Sequence, residues 1–196
     1  MSEQKKQSNK ENRKQKKDTI LVEVEVPQGV TASLKDSVLT VKAGKNEVNH
    51  RIELRKVSLE VKGNKVTITG LRATQKDKRM VNSIEAHVNN LIKGVQNPYE
   101  YTLKVCSGHF PITIDVKADR LTVKNFFGEK VPRILQIKKG ATVKVEGEKI
   151  TVESPSKEIA GQVSADIEQL TRRTGYDGRI FQDGIHIINK DGRDML

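Results

Sequence analysis

The chain predicts an α+β fold built twice: two tandem homologous domains, each a mostly antiparallel sheet with one amphipathic helix packed on one face. The first observation is a repeat. Val57-x-Leu59-x-Val61-x-Gly63-x-Lys65-Val66-Thr67-Ile68 recurs 84 residues later as Ala141-x-Val143-x-Val145-x-Gly147-x-Lys149-Ile150-Thr151-Val152. Upstream, Leu39-Thr40-Val41-Lys42 returns as Leu121-Thr122-Val123-Lys124, and Arg51-Ile52 as Arg133-Ile134. A period of about eighty residues is too long for a solenoid unit and long enough for a whole small domain. The second observation is period-two alternation of apolar residues in several segments of each copy. The third is a single stretch of helical spacing per copy, which suits one covered sheet face; a doubly wound parallel sheet needs helices between most strands.

The elements follow in order. Ile20, Val22, Val24 and Val26 alternate with polar or acidic residues up to Pro27 and Gly29, marking a half-buried strand that ends in a turn. Val38–Val41 is a second strand, with a turn at Gly44-Lys45-Asn46. Strands around Val57–Val61 and Val66–Thr69 meet across Lys62-Gly63-Asn64-Lys65, a glycine-containing connection that predicts a β-hairpin. Met80, Ile84, Val88 and Leu91 then advance by 4, 4 and 3, which confines them to an arc of about 80° on a helix, with Gly94 as its C-terminal stop. The second copy repeats that spacing at Ile159, Val163, Ile167 and Leu170, with Ser156 as the natural N-cap after Pro155. Hairpins lie 84 residues apart but helices only 79, so the first copy carries a longer connection at Gly70–Lys78. That polar, basic segment is either a contact surface or a solvated insertion.

Net charge is +11, from 36 Lys+Arg against 25 Asp+Glu. Residues 1–17 hold 7 basic and 2 acidic side chains and no apolar residue after Met1, a composition that predicts a disordered basic arm or a merely solubilising tail. Residues 18–97 hold 13 and 9, and residues 98–196 hold 16 and 14, so a polyanionic partner meets local patches rather than a uniformly positive body. A basic balance of this size favours nucleic acid as partner. One cysteine, Cys106, cannot form an internal disulfide; an intracellular setting and a buried structural thiol are expected. No run approaches the roughly 18 apolar residues of a membrane span, and the N-terminus lacks the apolar segment of a secretory signal.

Catalytic constellations are missing. His50, His87, His109 and His186 are scattered without metal-ligand spacing, and one cysteine makes no zinc cluster. Nucleotide-cradling glycine motifs are absent too. Asp115 with Asp119 is the nearest pair of carboxylates for an enzyme acting on nucleic acid. Gly108-His109-Phe110-Pro111 is better explained as an edge or turn than as an active-site loop. Basic clustering in the second copy is the stronger signal. Between Asn125 and Gly140 the one acid is Glu129, against Lys130, Arg133, Lys138 and Lys139, beside Phe126 and Phe127. After the second helix comes Arg172-Arg173-Thr174-Gly175-Tyr176-Asp177-Gly178-Arg179-Ile180-Phe181-Gln182-Asp183-Gly184. Glycines at 175, 178 and 184 let backbone approach phosphates, and arginines bridge phosphate oxygens bidentately. The combination suits structured RNA, while Phe126, Phe127 and Phe181 are equally candidates for the core.

Asn125-Phe126-Phe127-Gly128-Glu129-Lys130, His109-Phe110-Pro111-Ile112, His87-Val88-x-Asn90-x-Ile92-Lys93-Gly94-Val95 and Phe181-x-Asp183-Gly184-Ile185 together resemble the large-subunit ribosomal protein L-six family in its archaeal and eukaryotic form, whose eukaryotic members are named ribosomal protein L-nine. The resemblance runs from about Thr19 to Ile188 and implies two tandem α+β domains. It implies no enzyme and no cofactor, but a cytoplasmic structural protein of the large ribosomal subunit near the sarcin-ricin loop and the base of the factor-binding stalk. Its partners would be large-subunit rRNA, neighbouring ribosomal proteins and, indirectly, translation factors, with no membrane and no small-molecule substrate. Carried onto this sequence, RNA contacts are expected at Lys130, Arg133, Lys138, Lys139, Lys157, Arg172, Arg173, Tyr176 and Arg179. The implied organisation is a basic arm at 1–17, a first repeat at 18–97, a second repeat at 98–188 as the main rRNA-binding domain, and a tail at 189–196. The basic arm has no counterpart in the family pattern, and the short, not strongly basic end at Asn189 to Leu196 departs from it. A free RNA chaperone outside the ribosome is the competing binding reading.

Overall fold

The computed structural model describes residues 19–44, 46–52, 57–70 and 74–195. The expected basic arm at 1–17, Lys45 of the expected turn, and residues 71–73 of the longer connection lie outside the described residues. The chain forms two compact units, the first reaching Gln96 and the second running from Asn97 to Leu196.

In the first unit, β1 (Ile20–Glu25), β6 (Lys65–Gly70) and β5 (Val57–Lys62) make one antiparallel sheet in that spatial order. β2 (Thr31–Lys35), β3 (Val38–Ala43) and β4 (Asn46–Arg51) make a second. Register places Val24 opposite Val66 and Leu59 opposite Ile68, so inward side chains face one core. That core is closed by helix α1 (Gln75–Gln96) through Val81, Ile84, Val88, Leu91, Ile92 and Val95. Because side chains alternate along a strand, one apolar face per sheet is all the sequence has to supply.

Three expectations need correction here. Most of the extra length in the first copy is helix, not loop: α1 begins at Gln75, where the Thr74 hydroxyl accepts the Asp77 backbone N–H (3.3 Å). The buried stripe is centred on Val81, Ile84, Val88 and Leu91, with Met80 only half-buried. Gly94 does not stop the helix, which continues to Gln96; residue 97 precedes Pro98, and the proline ring disfavours α geometry before it. The polar strands β2 and β4 escaped the sequence reading because each has few apolar residues. The two-residue turn joining β2 to β3 sets Asp36 and Ser37 at φ 48° and 64°, a conformation whose twist matches a hairpin.

The second unit rebuilds this plan. β7 (Tyr99–Cys106), β12 (Lys149–Ser154) and β11 (Thr142–Glu146) correspond to β1, β6 and β5, while β8 (Thr113–Lys117), β9 (Arg120–Lys124) and β10 (Arg133–Gln136) correspond to β2, β3 and β4. Both hairpins turn on a glycine at the same point, Gly63 at φ 58° and Gly147 at φ 60°. Helix α2 (Lys157–Leu170) starts as expected at Ser156, whose hydroxyl accepts the Ile159 N–H (3.4 Å), and buries Ala160, Val163, Ser164 and Ile167. Among the described residues the first unit has no counterpart of β13 (Gly184–Lys190), which pairs antiparallel with the other side of β7 and is followed by β14 (Arg193–Asp194). Part of the expected tail at 189–196 is therefore strand.

Candidate nucleic-acid interface

Beyond β9 the chain turns through Asn125 at φ 58°, whose amide Nδ2 donates to the Pro111 carbonyl (3.0 Å), into a single 3-10 turn at Phe126–Gly128. Phe127 itself sits at φ 50°. This left-handed step, which costs an ordinary residue about 1–2 kcal/mol, sends the two adjacent rings to different places. Phe126 is 1% exposed and belongs to the core, whereas Phe127 is half-buried beside it, the rings meeting edge-on at 4.8 Å.

Arg133 packs its guanidinium 4.5 Å from the Phe126 centroid. It donates from Nε and Nη2 to the Glu129 carboxylate (2.9 and 2.7 Å) and from Nη1 to the Leu170 carbonyl (2.7 Å) at the end of α2. The hydrogen bond from Arg133 holds the Glu129 carboxyl below its ordinary range, against the opposing effect of burial. Arg133, expected as an RNA contact, caps a helix here, its fork engaged by Glu129 and the Leu170 carbonyl.

The segment from Thr171 to Asp183 is fastened at both ends. Thr171 Oγ1 accepts the Ile185 N–H (2.9 Å) and donates to the Glu168 carbonyl (3.1 Å). Asp183, with its side chain only 3% exposed, accepts the backbone N–H groups of Gly108 (2.8 Å) and His109 (3.0 Å) and contacts His109 Nδ1 (3.1 Å). Burial acts against the charge of Asp183, but those two N–H groups and the His109 ring outweigh it and hold the carboxyl below its ordinary value. A side chain at position 108 would meet this clasp, since a Cβ there lies 2.9 Å from Asp183 Oδ1. On the clasp stand the rings: His109 stacks on Phe181 (5.0 Å), Tyr176 meets Phe181 edge-on (5.1 Å), and Arg173 lies 4.3 Å from the Tyr176 centroid and 5.1 Å from that of Phe127.

Of the three glycines expected to admit phosphate, Gly175 (φ 85°) and Gly178 are exposed with open space around them. Gly184 is buried, and a Cβ there would fall 3.3 Å from His186 and 3.4 Å from Thr171, so its smallness serves packing. Arg179 and Ile180 line a shallow hollow of about 430 Å³ with Cys106, Gly108, His109 and Asp183. Cys106 is thus half-buried at the hollow's wall rather than a fully buried core thiol.

Lys138 and Lys139 lie beside α2, of which Lys157 is the first residue. Gly140 accepts the Ser154 hydroxyl (2.7 Å), which seats Lys138 and Lys139 beside that helix; Lys138 Nζ reaches Asp166 at 3.7 Å. Lys157 Nζ lies 5.8 Å from the Tyr99 centroid. Fourteen residues of helix, about 21 Å long, separate this group from the one around Arg173. Lys130, Lys139, Lys157, Arg172, Arg173 and Arg179 are exposed, and among the described residues no carboxylate stands within ion-pair distance of them. Cations left unpaired in this way suit a polyanion.

The enzymatic alternative finds no support in its carboxylates, because Asp115 is taken by Lys124 (2.7 Å), whose hydrogen bond lowers the Asp115 pKa. Spacing alone missed that the first unit stacks His50 on His87 at 4.9 Å, above a hollow shared with Met80 and Ser83. Their rings are 21° from parallel.

The family model for ribosomal protein L6 matches residues 26–97 and 110–184, one stretch in each unit. Relatives named large ribosomal subunit protein uL6 include that of Methanococcus vannielii, 36% identical over 171 residues, covering 87% of this chain and 94% of the relative. That of Halobacterium salinarum is 38% identical over 172 residues (88% and 97%), and that of Nanoarchaeum equitans 38% over 185 residues (90% and 96%). The family is structural and non-enzymatic. A matched model over both units and relatives aligned almost end to end establish that the chain belongs to the ribosomal protein L6 family.

Proposed function

We propose that the chain is a cytoplasmic structural constituent of the large ribosomal subunit, gripping rRNA with its second unit near the sarcin-ricin loop and the base of the factor-binding stalk. Neighbouring ribosomal proteins are its other direct partners, and translation factors feel it indirectly, through the RNA geometry it fixes. The observation that carries this reading is the set of exposed cations Lys130, Lys139, Lys157, Arg172, Arg173 and Arg179, which have no acidic partner among the described residues. Phosphate neutralisation releases counterions, and a rigid frame converts that non-specific attraction into a fixed register. Lys130, Lys138, Lys139, Lys157, Arg172, Arg173, Tyr176 and Arg179 form the contact surface; Arg133 stands behind it.

Charge reversal of Arg172, Arg173 and Arg179 together tests the reading. Subunit incorporation is expected to fall, and the dependence of RNA affinity on salt to flatten by about 0.7–0.9 in log–log slope for each phosphate that is no longer neutralised, with thermal unfolding nearly unchanged. Undiminished incorporation would remove these arginines from the contact surface. Sedimentation through sucrose at high salt separates the ribosomal reading from a free RNA chaperone: co-migration with large subunits supports the former, release into light fractions the latter.

A further inference from the structure

Arg173 is placed differently from the other exposed cations. Its guanidinium rests on a floor of two rings, Tyr176 at 4.3 Å and Phe127 at 5.1 Å, which are themselves 5.9 Å apart and tilted by 37°. Beneath them Phe181 braces Tyr176 edge-on and stacks on His109, which the buried Asp183 holds. Glu129 is near enough for Arg173 to lower its pKa, yet both its oxygens are taken by Arg133. Arg173 therefore rests over two rings and, among the described residues, forms no ion pair. Tyr176 remains 46% exposed next to it.

A phosphate contact does not require this arrangement. Phosphate is bound through N–H donors, which a flexible, unbacked arginine or lysine supplies as well. What a ring-backed guanidinium adds is a flat, pre-ordered outer face, and flat faces recognise flat ligands. Bases within a duplex are already stacked on one another, so the complementary ligand is a base outside a helix, in a bulge, loop or end.

Resting on the RNA-binding reading above, we infer that Arg173, backed by Tyr176 and Phe127, is a stacking platform for one unpaired RNA nucleobase. The base lies on the outer guanidinium face while the in-plane N–H groups remain available to the phosphate of the same or the next nucleotide. Tyr176 borders the platform and gives it width. Recognition here is by flatness and by being unpaired, so it is tolerant of base identity.

The test uses the full chain and two RNA hairpins of equal length, one fully paired and one with a single bulged 2-aminopurine. The intact protein is expected to bind the bulged hairpin roughly tenfold more tightly and to change the 2-aminopurine fluorescence on binding. Arg173→Lys keeps the charge and removes the plane; Tyr176→Leu removes the floor. Each is expected to abolish the fluorescence change and to bring the variant's affinity for the bulged hairpin down to its own affinity for the paired one. Both positions are exposed, and an unchanged melting temperature identifies folded variants. Equal affinity for the two hairpins, or a preference that survives Arg173→Lys, overturns the platform and leaves Arg173 as a phosphate contact alone. Failure to bind either hairpin overturns the RNA-binding reading itself and the platform with it.

Discussion

Replacing Asp183 by asparagine changes one atom of a nearly buried side chain and undoes the clasp that shapes the segment from Thr171 to Asp183. The carboxylate accepts two backbone N–H groups, at 2.8 and 3.0 Å, and contacts the His109 ring. An amide offers one accepting oxygen and turns an NH2 group toward the second donor, so at least one charge-assisted bond disappears. Such bonds contribute about 1.5–3 kcal/mol each. Gly108 and His109 lie at the surface, where water partly re-satisfies a freed N–H, so the net cost is set near the lower end, about 2 kcal/mol. Urea unfolding followed by circular dichroism is expected to show a midpoint lower by about 1 M with unchanged slope. Acid sharpens the contrast. The folded carboxyl titrates below its ordinary value, so its contribution is complete above the unfolded pKa and disappears as pH falls through the depressed folded one. The gap between the parent chain and Asp183→Asn should therefore narrow as pH drops into that range. An equal midpoint at neutral pH, or a gap independent of pH, would refute the clasp as a source of stability.

Two further outcomes are expected. Gly108→Ala brings a Cβ to 2.9 Å from Asp183 Oδ1 and should cost about 1–3 kcal/mol; in a double-mutant cycle with Asp183→Ala much of that cost should vanish, and strict additivity would mean the two positions do not touch. Arg133→Gln removes the charged fork that serves Glu129 bidentately and the Leu170 carbonyl at once, so it should lower unfolding free energy by about 1–3 kcal/mol while leaving the salt slope of RNA binding unchanged; a slope reduced by about 0.7–0.9 would return Arg133 to the contact surface.

The doubled scaffold was legible because apolar periodicity is written in the chain itself. Strand and helix stripes such as Val66–Ile68 and Ile159–Leu170 leave one face to bury, and Ser156 announces its helix by chemistry. β2 and β4 were not legible, because their few apolar residues give no alternation to read. At the site, the basic segments were visible as composition, and so were the motifs around His109 and Asp183. Their meeting was not. Residues 74 positions apart are joined by the pairing of β7 with β13, a relation no local pattern encodes. The part Arg133 plays in the fold was hidden for a related reason: a cation's sequence neighbours do not reveal that a helix end 37 positions away supplies its acceptor. Gly184 likewise looked like an open phosphate approach until its neighbours across the sheet were known.

The extra strand β13 also fixes an order of events during synthesis. Arg172, Arg173 and Arg179 leave the ribosome making the chain before Gly184–Lys190 do, so a nascent protein holds the charges before it holds the strand that shapes them. Until Ile185 has been made, the Thr171 tie to it cannot form, and until β13 pairs with β7 the far end of the basic segment lacks the sheet that fixes it in the finished fold. Completion of one strand thus gives the segment its final shape, and a chain interrupted before Gly184 stops short of it.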